Sequence, residues 1–439
     1  MKKWLGLALL CCSTVQADML DALKAYEQKN YAEAQQQFAE LLPLGNELAA
    51  FNLGVMAYQG EGQARDLTSA LAYFKLAAAL KHPQAEQLLT QIQAELNAEQ
   101  LSQVETQFAR LQRAVTIQPI SLEKLPEKVL PEPVKRVAPD YPMEAARKGL
   151  FGYVTLRFLV DEAGQVTAID SLDAYPDKVF NKSAMRAVKR WQYEATGAKH
   201  MLKVRLDYSL GNGITEVSEI EKLEQKHQLW QFASAGAPQY QFVLGTLLSL
   251  LEIQSHNGFW FDPDLPLSAQ PDFSIYKNRA HLKADLDGFW GYAVVRVDQQ
   301  GVITEQLRTE FDSKSTLSSL IGHKLEGKVE SDVYRLYRHA DQRSRRVAVV
   351  PSVTAPASMS AMFWWEQAAK NGNLEAQRVM AAHNTQWENY LLSQQDGEVM
   401  AWAGTRLILD GQREQGMQLL EQAIAKNYAP AKEMKQQFM

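Results

Sequence analysis

The sequence predicts a multidomain α+β protein: α-helical repeat (solenoid) segments flank a small β-β-α-β domain and a β-rich insert. Three observations carry this expectation. Apolar residues recur at helical spacing from Asp18 to about Val115, and again from Ser358 onward. Between Ile117 and Pro142 that period stops at prolines 119, 126, 131, 133, 139 and 142. Beyond them Val154, Leu156, Phe158 and Val160 alternate with Tyr153, Thr155, Arg157 and Leu159, the period of two that a strand requires. A chain of 439 residues also exceeds what one core accommodates.

The first segment, "MKKWLGLALLCCSTVQAD", has Lys2 and Lys3 ahead of an apolar stretch from Trp4 to Cys12, then Val15-Gln16-Ala17. It reads as a cleaved secretory signal over 1–17, with the mature chain starting at Asp18. The apolar run is about half the roughly 20 residues that span a bilayer, and no later segment is long and apolar enough for a membrane span. Both cysteines lie inside this leader, so the exported chain is expected to carry no disulfide and no thiol chemistry. The formal charge of −5 becomes more negative without Lys2 and Lys3, which disfavours nucleic acid as a partner.

Residues 18–115 read as paired helices. Ala22, Leu23, Tyr26, Tyr31, Ala34 and Phe38 share one helical pattern, with Asn30 between two helices. "AAFNLGVMAYQGEGQARDLTSALAYFKLAAALKHPQAEQLL" then places Gly54, Ala70 and Ala78 where helices must approach closely, and Gly60 and Gly62 where the chain must turn. With Leu53, Tyr58, Asp66, Tyr73 and Ala77 this segment resembles the Sel-one-like subclass of tetratricopeptide-like repeats. One such unit cannot bury its apolar face alone, so neighbouring helices must cover it. The proline-rich interval 116–138 reads as an extended linker.

The next domain, 139–212, opens with a short helix and a β-hairpin turning at Asp161 to Gly164. "VFNKSAMRAVKRWQY" then puts Phe180, Ala184, Ala187, Val188 and Trp191 on one helical face, and "LKVRLDYSL" supplies a last strand. This order, with Tyr141-Pro142 in front, Gly152, the turn glycine Gly164, and Arg190, Trp191 and Tyr193 closing the helix, is similar to the C-terminal domain of TonB proteins. The resemblance implies that the domain binds a short extended segment of outer-membrane TonB-dependent receptors along a strand edge, and that it can form a homodimer through the same strands. The candidate edge is Lys203, Val204, Arg205, Leu206, Asp207 and Tyr208. Ala138 replaces a glutamine that touches the receptor segment in well-known members, and Ala195 replaces a proline; both departures bear on which segment is taken.

Residues 213–254 return to helical repeat character at Trp230, Ala233, Gly236, Leu244 and Gly245. The interval 255–352 reads as a β-rich insert. Its "GFWGYAVVRVDQQGVITEQL" echoes "GLFGYVTLRFLVDEAGQVTAI", but no helix ending in tryptophan follows, so it is either a degenerate second TonB-like hairpin or an unrelated one. Residues 353–439 again match Sel-one-like helices at Trp364, Ala368, Ala369, Gly372 and Ala376, then Ala401, Gly404, Gly411, Gly416, Leu420 and Ala423.

No catalytic constellation accompanies these elements. The eight histidines include no i, i+4 pair, "GNG" at 211–213 lacks the following lysine and helix of a phosphate loop, and Asp262 with Asp264 is an ordinary acidic pair. His339 and Asp341 sit in an Arg-rich run from Arg335 to Arg346 that reads as a solvated surface, and Trp364, Trp365 and Trp387 read as core. The expectation is a non-enzyme with neither metal nor cofactor. Two functions fit. One is a periplasmic, TonB-related binding or adaptor protein that captures an extended segment and is accessory to TonB-dependent transport, linked to a motor through another protein. The other is a periplasmic scaffold for envelope or polysaccharide-export assembly, with the TonB-like domain as a dimerisation module.

Overall fold

The computed structural model describes residues 17–118, 130–209, 223, 226–254, 259–262, 265, 282–284, 286–338 and 346–439. The leader up to Gln16, most of the linker, the "GNG" loop and the His339/Asp341 pair lie outside these residues. The chain divides into two units, and it passes between them more than once.

The first unit holds the described part of 1–126 together with 232–240 and 366–394. Its N-terminal helices span Met19–Glu27, Tyr31–Leu41, Glu47–Gln59, Leu67–Ala79, Ala85–Gln93 and Ala98–Ala114. Their starts are written in short polar side chains that accept otherwise orphaned N–H groups. Asp18 accepts from Leu20 at 2.7 Å, Asn46 from Ala49 at 2.8 Å and Asp66 from Thr68 and Ser69 at 3.0 and 3.1 Å, while Asn97 and Gln100 make a reciprocal capping box. Gly54 is small because it must be: a Cβ there would lie 2.9 Å from the Phe74 ring. Segment 366–394 closes the unit. Met19 N–H donates to the Asn371 carbonyl at 3.2 Å, the buried Asn46 amide donates to Asn371 Oδ1 at 2.7 Å, and Gln118 N–H donates to Gln386 Oε1 at 2.8 Å. Trp387 is fully buried, as its reading as core requires. The last helical interval, expected as one piece over 353–439, is therefore shared: 366–394 packs with the N-terminal helices, and 395–439 belongs to the second unit.

In that second unit β1 (Pro133–Lys135) precedes the short helix Met143–Arg147, β2 (Gly152–Val160), β3 (Val166–Tyr175), the helix Asn181–Val188, β4 (Gln192–Tyr193) and β5 (His200–Tyr208). The three long strands form an antiparallel sheet in the order β3-β2-β5, and β1 pairs with β4. The end of the interval expected as linker is thus part of the domain, because Glu194 N–H donates to the Glu132 carbonyl at 2.9 Å beside that pair. Helix Asn181–Val188 covers one face of the sheet, burying Val154, Leu156, Phe158, Phe180 and Val188.

The β-rich insert forms its own sheet. It comprises β6 (Phe259–Asp262), β7 (Lys283–Ala284), β8 (Gly291–Val297), β9 (Ile303–Phe311), β10 (Leu325–Glu326), β11 (Val333–Arg338) and β12 (Ala348–Pro356). Five strands run in the order β6-β12-β11-β8-β9, and β10 pairs with β7. Helix Pro238–Gln254 packs on Ala361–Lys370, where a Cβ on Gly245 would lie 2.9 Å from the Ala361 carbonyl oxygen. The last helices, Gly397–Leu409, Arg413–Ala425 and Pro430–Gln436, complete the unit. Gly404 and Gly416 let the first two touch backbone to backbone, since a Cβ on either would lie 2.7 or 2.4 Å from the other's carbonyl oxygen.

Candidate functional site

β5 pairs residue by residue with β2, from Gly152 opposite Tyr208 to Val160 opposite His200. Among the described residues no strand lies on its other side. Alternation divides its side chains between two environments. Leu202, Val204, Leu206 and Tyr208 join the core under the helix, where the Tyr208 and Phe180 rings stack at 4.2 Å. Lys203, Arg205 and Asp207 take the opposite face. Arg205 lies over the Tyr153 ring at 3.7 Å and donates from Nη1 to Ser249 Oγ at 2.5 Å and from Nε to Asp207 Oδ1 at 2.9 Å, so it is held by the protein; Lys203 and Asp207 lie at the exposed surface. Crowding by surrounding protein, and then the Arg157 guanidinium opposite it, lower the Lys203 pKa below the usual lysine value. The chemistry at this edge is backbone hydrogen bonding, framed by alternating side chains.

The motif positions build the frame rather than the edge. Pro142 caps the helix Met143–Arg147, and the Tyr141 hydroxyl donates to the Leu150 carbonyl. A Cβ on Gly152 would lie 1.7 Å from the Tyr175 carbonyl oxygen, so only glycine fits. Gly164 adopts φ +82° in the hairpin turn, and its carbonyl accepts from Tyr193 N–H at 2.9 Å. Arg190 Nε donates to the Arg186 carbonyl at 3.2 Å, and Trp191 Nε1 donates to the Val137 carbonyl at 2.8 Å. Together these contacts fasten the end of the helix to the hairpin turn and to the incoming chain.

Sequence reasoning missed the other face of the sheet. Its Tyr153, Arg157 and Leu159 are buried: Arg205 lies over the Tyr153 ring, and the C-terminal helices bring Glu398 and Trp402 to Arg157. Arg157 Nη2 lies 2.5 Å from Glu398 Oε1 and 3.7 Å from Asp170 Oδ2, with its guanidinium 4.7 Å from the Trp402 ring centre. The Tyr428 hydroxyl donates to Asp170. Burial, then the negative charges of Asp170 and Glu398, raise the Tyr428 pKa far above its usual value, so it remains a donor. The available signal was Arg157 itself, a charge in the middle of a strand with apolar neighbours.

With this geometry in view, a scan against family models finds the Gram-negative bacterial TonB protein C-terminal family over residues 137–210. This stretch matches a TonB C-terminal domain. The TonB-like domain is 32% identical over 69 residues to the TonB protein of Yersinia enterocolitica, covering 16% of this chain and 27% of that one. It is 35% identical over 81 residues to the TonB protein of Klebsiella aerogenes, covering 18% and 33%. The match thus spans between about a quarter and a third of those relatives' length. The solution structure of the Pseudomonas aeruginosa TonB C-terminal domain aligns at 22% identity and a TM-score of 0.17, covering 18% of this chain and 87% of that domain.

Among the described residues no helix is long and apolar enough to cross a membrane, and no three histidine, cysteine or acidic side chains are grouped to hold a metal ion.

Proposed function

We propose that this chain is a periplasmic, TonB-related adaptor whose TonB-like domain captures an extended segment of an outer-membrane receptor by strand addition to β5, as an accessory to TonB-dependent transport. The observation that carries the reading is the outer side of β5, which pairs with β2 alone among the described residues and lies in a stretch matching the TonB C-terminal family. An added strand satisfies the backbone groups of such an edge, and its alternate side chains supply selectivity. The helical segments, read as Sel-one-like repeats, hold a second protein that links the adaptor to a motor.

Proline scanning with crosslinking tests this. Alternate residues of an edge strand direct their N–H groups the same way, so Lys203→Pro and Asp207→Pro probe one alternation, and Val204→Pro and Leu206→Pro probe the other. Arg205 is avoided because its side chain also holds Ser249. A photocrosslinker at the edge should trap a receptor in cells, and prolines of the outward alternation should abolish trapping with the circular dichroism unchanged. Alanine at those sites should retain it. If every folded proline variant still traps the receptor, strand addition at β5 is not the mechanism; trapping of a second copy of this chain would favour the dimerisation module.

A further inference from the structure

The insert's hairpin repeats the TonB-like hairpin down to its turn. In the first hairpin Asp161 N–H donates to the Gln165 carbonyl at 2.9 Å and Gly164 N–H to the Asp161 carbonyl at 3.0 Å. Asp161 Oδ1 also accepts from Ala163 and Gln165 at 3.0 and 2.8 Å. In the insert Asp298 N–H donates to the Val302 carbonyl at 2.9 Å and Gly301 N–H to the Asp298 carbonyl at 3.0 Å. Asp298 Oδ1 accepts from Gln300 and Val302, both at 2.9 Å. The turn glycines have φ of +82° and +81°. A turn alone is a common object, so the agreement beyond it decides.

That agreement extends through the chain order. The Gly164 carbonyl accepts from Tyr193 N–H at 2.9 Å, in the strand that follows the helix, and the Gly301 carbonyl accepts from Leu325 N–H at 2.8 Å. Those residues lie in β4 and β10, and each of these short strands pairs antiparallel with one that precedes the hairpin, β1 or β7. The isolated bridges Gln165 to Gln192 and Val302 to Lys324 correspond as well. Each hairpin carries two register shifts, and each begins at a glycine whose Cβ would strike a carbonyl oxygen of the second strand, at 1.7 Å for Gly152 and 2.1 Å for Gly291. A third long strand then pairs antiparallel with the first, β5 with β2 and β11 with β8. One element is lost: no helix stands between β9 and β10, and Leu320 is buried there instead.

The two sheets differ at one edge. Where β5 has no described neighbour, β11 pairs antiparallel with β12, from Val333 opposite Ser352 to Tyr337 opposite Ala348. β12, "AVVPSVTAP", is uncharged and leads into the helix Ala361–Lys370. Its Pro351 lacks an N–H and falls where the second neighbour, β6, has not yet begun, since that pairing starts at Val353.

We propose that residues 282–338 are a second copy of the TonB-like fold, and that β12 is its built-in strand ligand, occupying the edge that corresponds to the outer side of β5. The strand-acceptor edge is used here as an internal joint that fastens the following helix to the insert.

Hydrogen exchange on the full chain tests this without any outside partner. Amides of β11 should be protected at both alternations, because they are flanked on both sides. Val349→Pro and Val350→Pro probe the two alternations of β12. At least one should accelerate exchange of alternate β11 amides by about ten-fold or more, with the hairpin Gly152–Tyr175 unchanged. A synthetic peptide of residues 346–356 added to that variant should restore the protection. Wild-type β11 amides exchanging at only one alternation would overturn the proposal. So would two silent prolines, or loss of the whole β8–β11 sheet that the peptide does not repair. Protection of β5 at both alternations would instead overturn strand addition at β5, the reading under Proposed function, which this proposal about β11 and β12 does not use.

Discussion

An arginine in the middle of a strand must find its partners or distort the sheet. Arg157 finds Glu398 and Asp170, lies against the Trp402 ring, and is 6% exposed. Burial removes water from all three charges, so the cluster's net worth is modest, but each member has become indispensable to the others. Arg157→Ala should therefore cost about 3–5 kcal/mol, because two carboxylates are left buried beside a lost cation. Arg157→Met with Glu398→Gln should cost less than the sum of the single changes, since the pair is removed together. Urea midpoints of the four proteins in the cycle measure the coupling. Additive costs would mean that the 2.5 Å contact does no more than fill space.

At the scale of elements, the TonB-like domain depends on one tryptophan to close its helix onto its sheet. Trp191 is 4% exposed and donates to the Val137 carbonyl, so it fills the core and ties down the chain that enters the domain. Trp191→Ala in the full chain should cost about 3–5 kcal/mol. Hydrogen exchange localised to Val166–Tyr193 should report the loss, and an unchanged profile would remove the anchoring role. This hairpin, helix and last strand were legible because each announces itself locally, by a period of two, a period near 3.6 or a turn glycine. The cover on the mixed face was not legible, because Arg157 and Glu398 are 241 residues apart and no periodicity links them. The second hairpin was half legible: its turn and opening glycine kept their signals, but the missing helix took away the tryptophan that would have completed the pattern. Lys203 to Tyr208 form part of β5, yet Arg205 belongs to the interior packing, which its charge alone did not reveal.

At the scale of the whole molecule, the first unit is assembled from distant parts of the chain. Asn46 shows how: its Oδ1 accepts from Ala49 at 2.8 Å to start a helix, while its amide donates to Asn371 Oδ1 at 2.7 Å and to the Lys370 carbonyl at 2.9 Å. Asn46→Asp keeps the cap acceptor and loses the donor, whereas Asn46→Ala loses both. Both should lower the urea midpoint, alanine by about 1–3 kcal/mol in stability and by more than a cap alone accounts for. If aspartate is as stable as the parent, the long-range bonds contribute nothing. The separation of 325 residues between Asn46 and Asn371 also sets a clock. At roughly 5–20 residues per second of synthesis, the earliest helices wait on the order of tens of seconds for the segment that seals them. During that interval Met19 and Asn46 lack their partners at Asn371, so the N-terminal helices cannot complete their packing until the segment through residue 394 has been made.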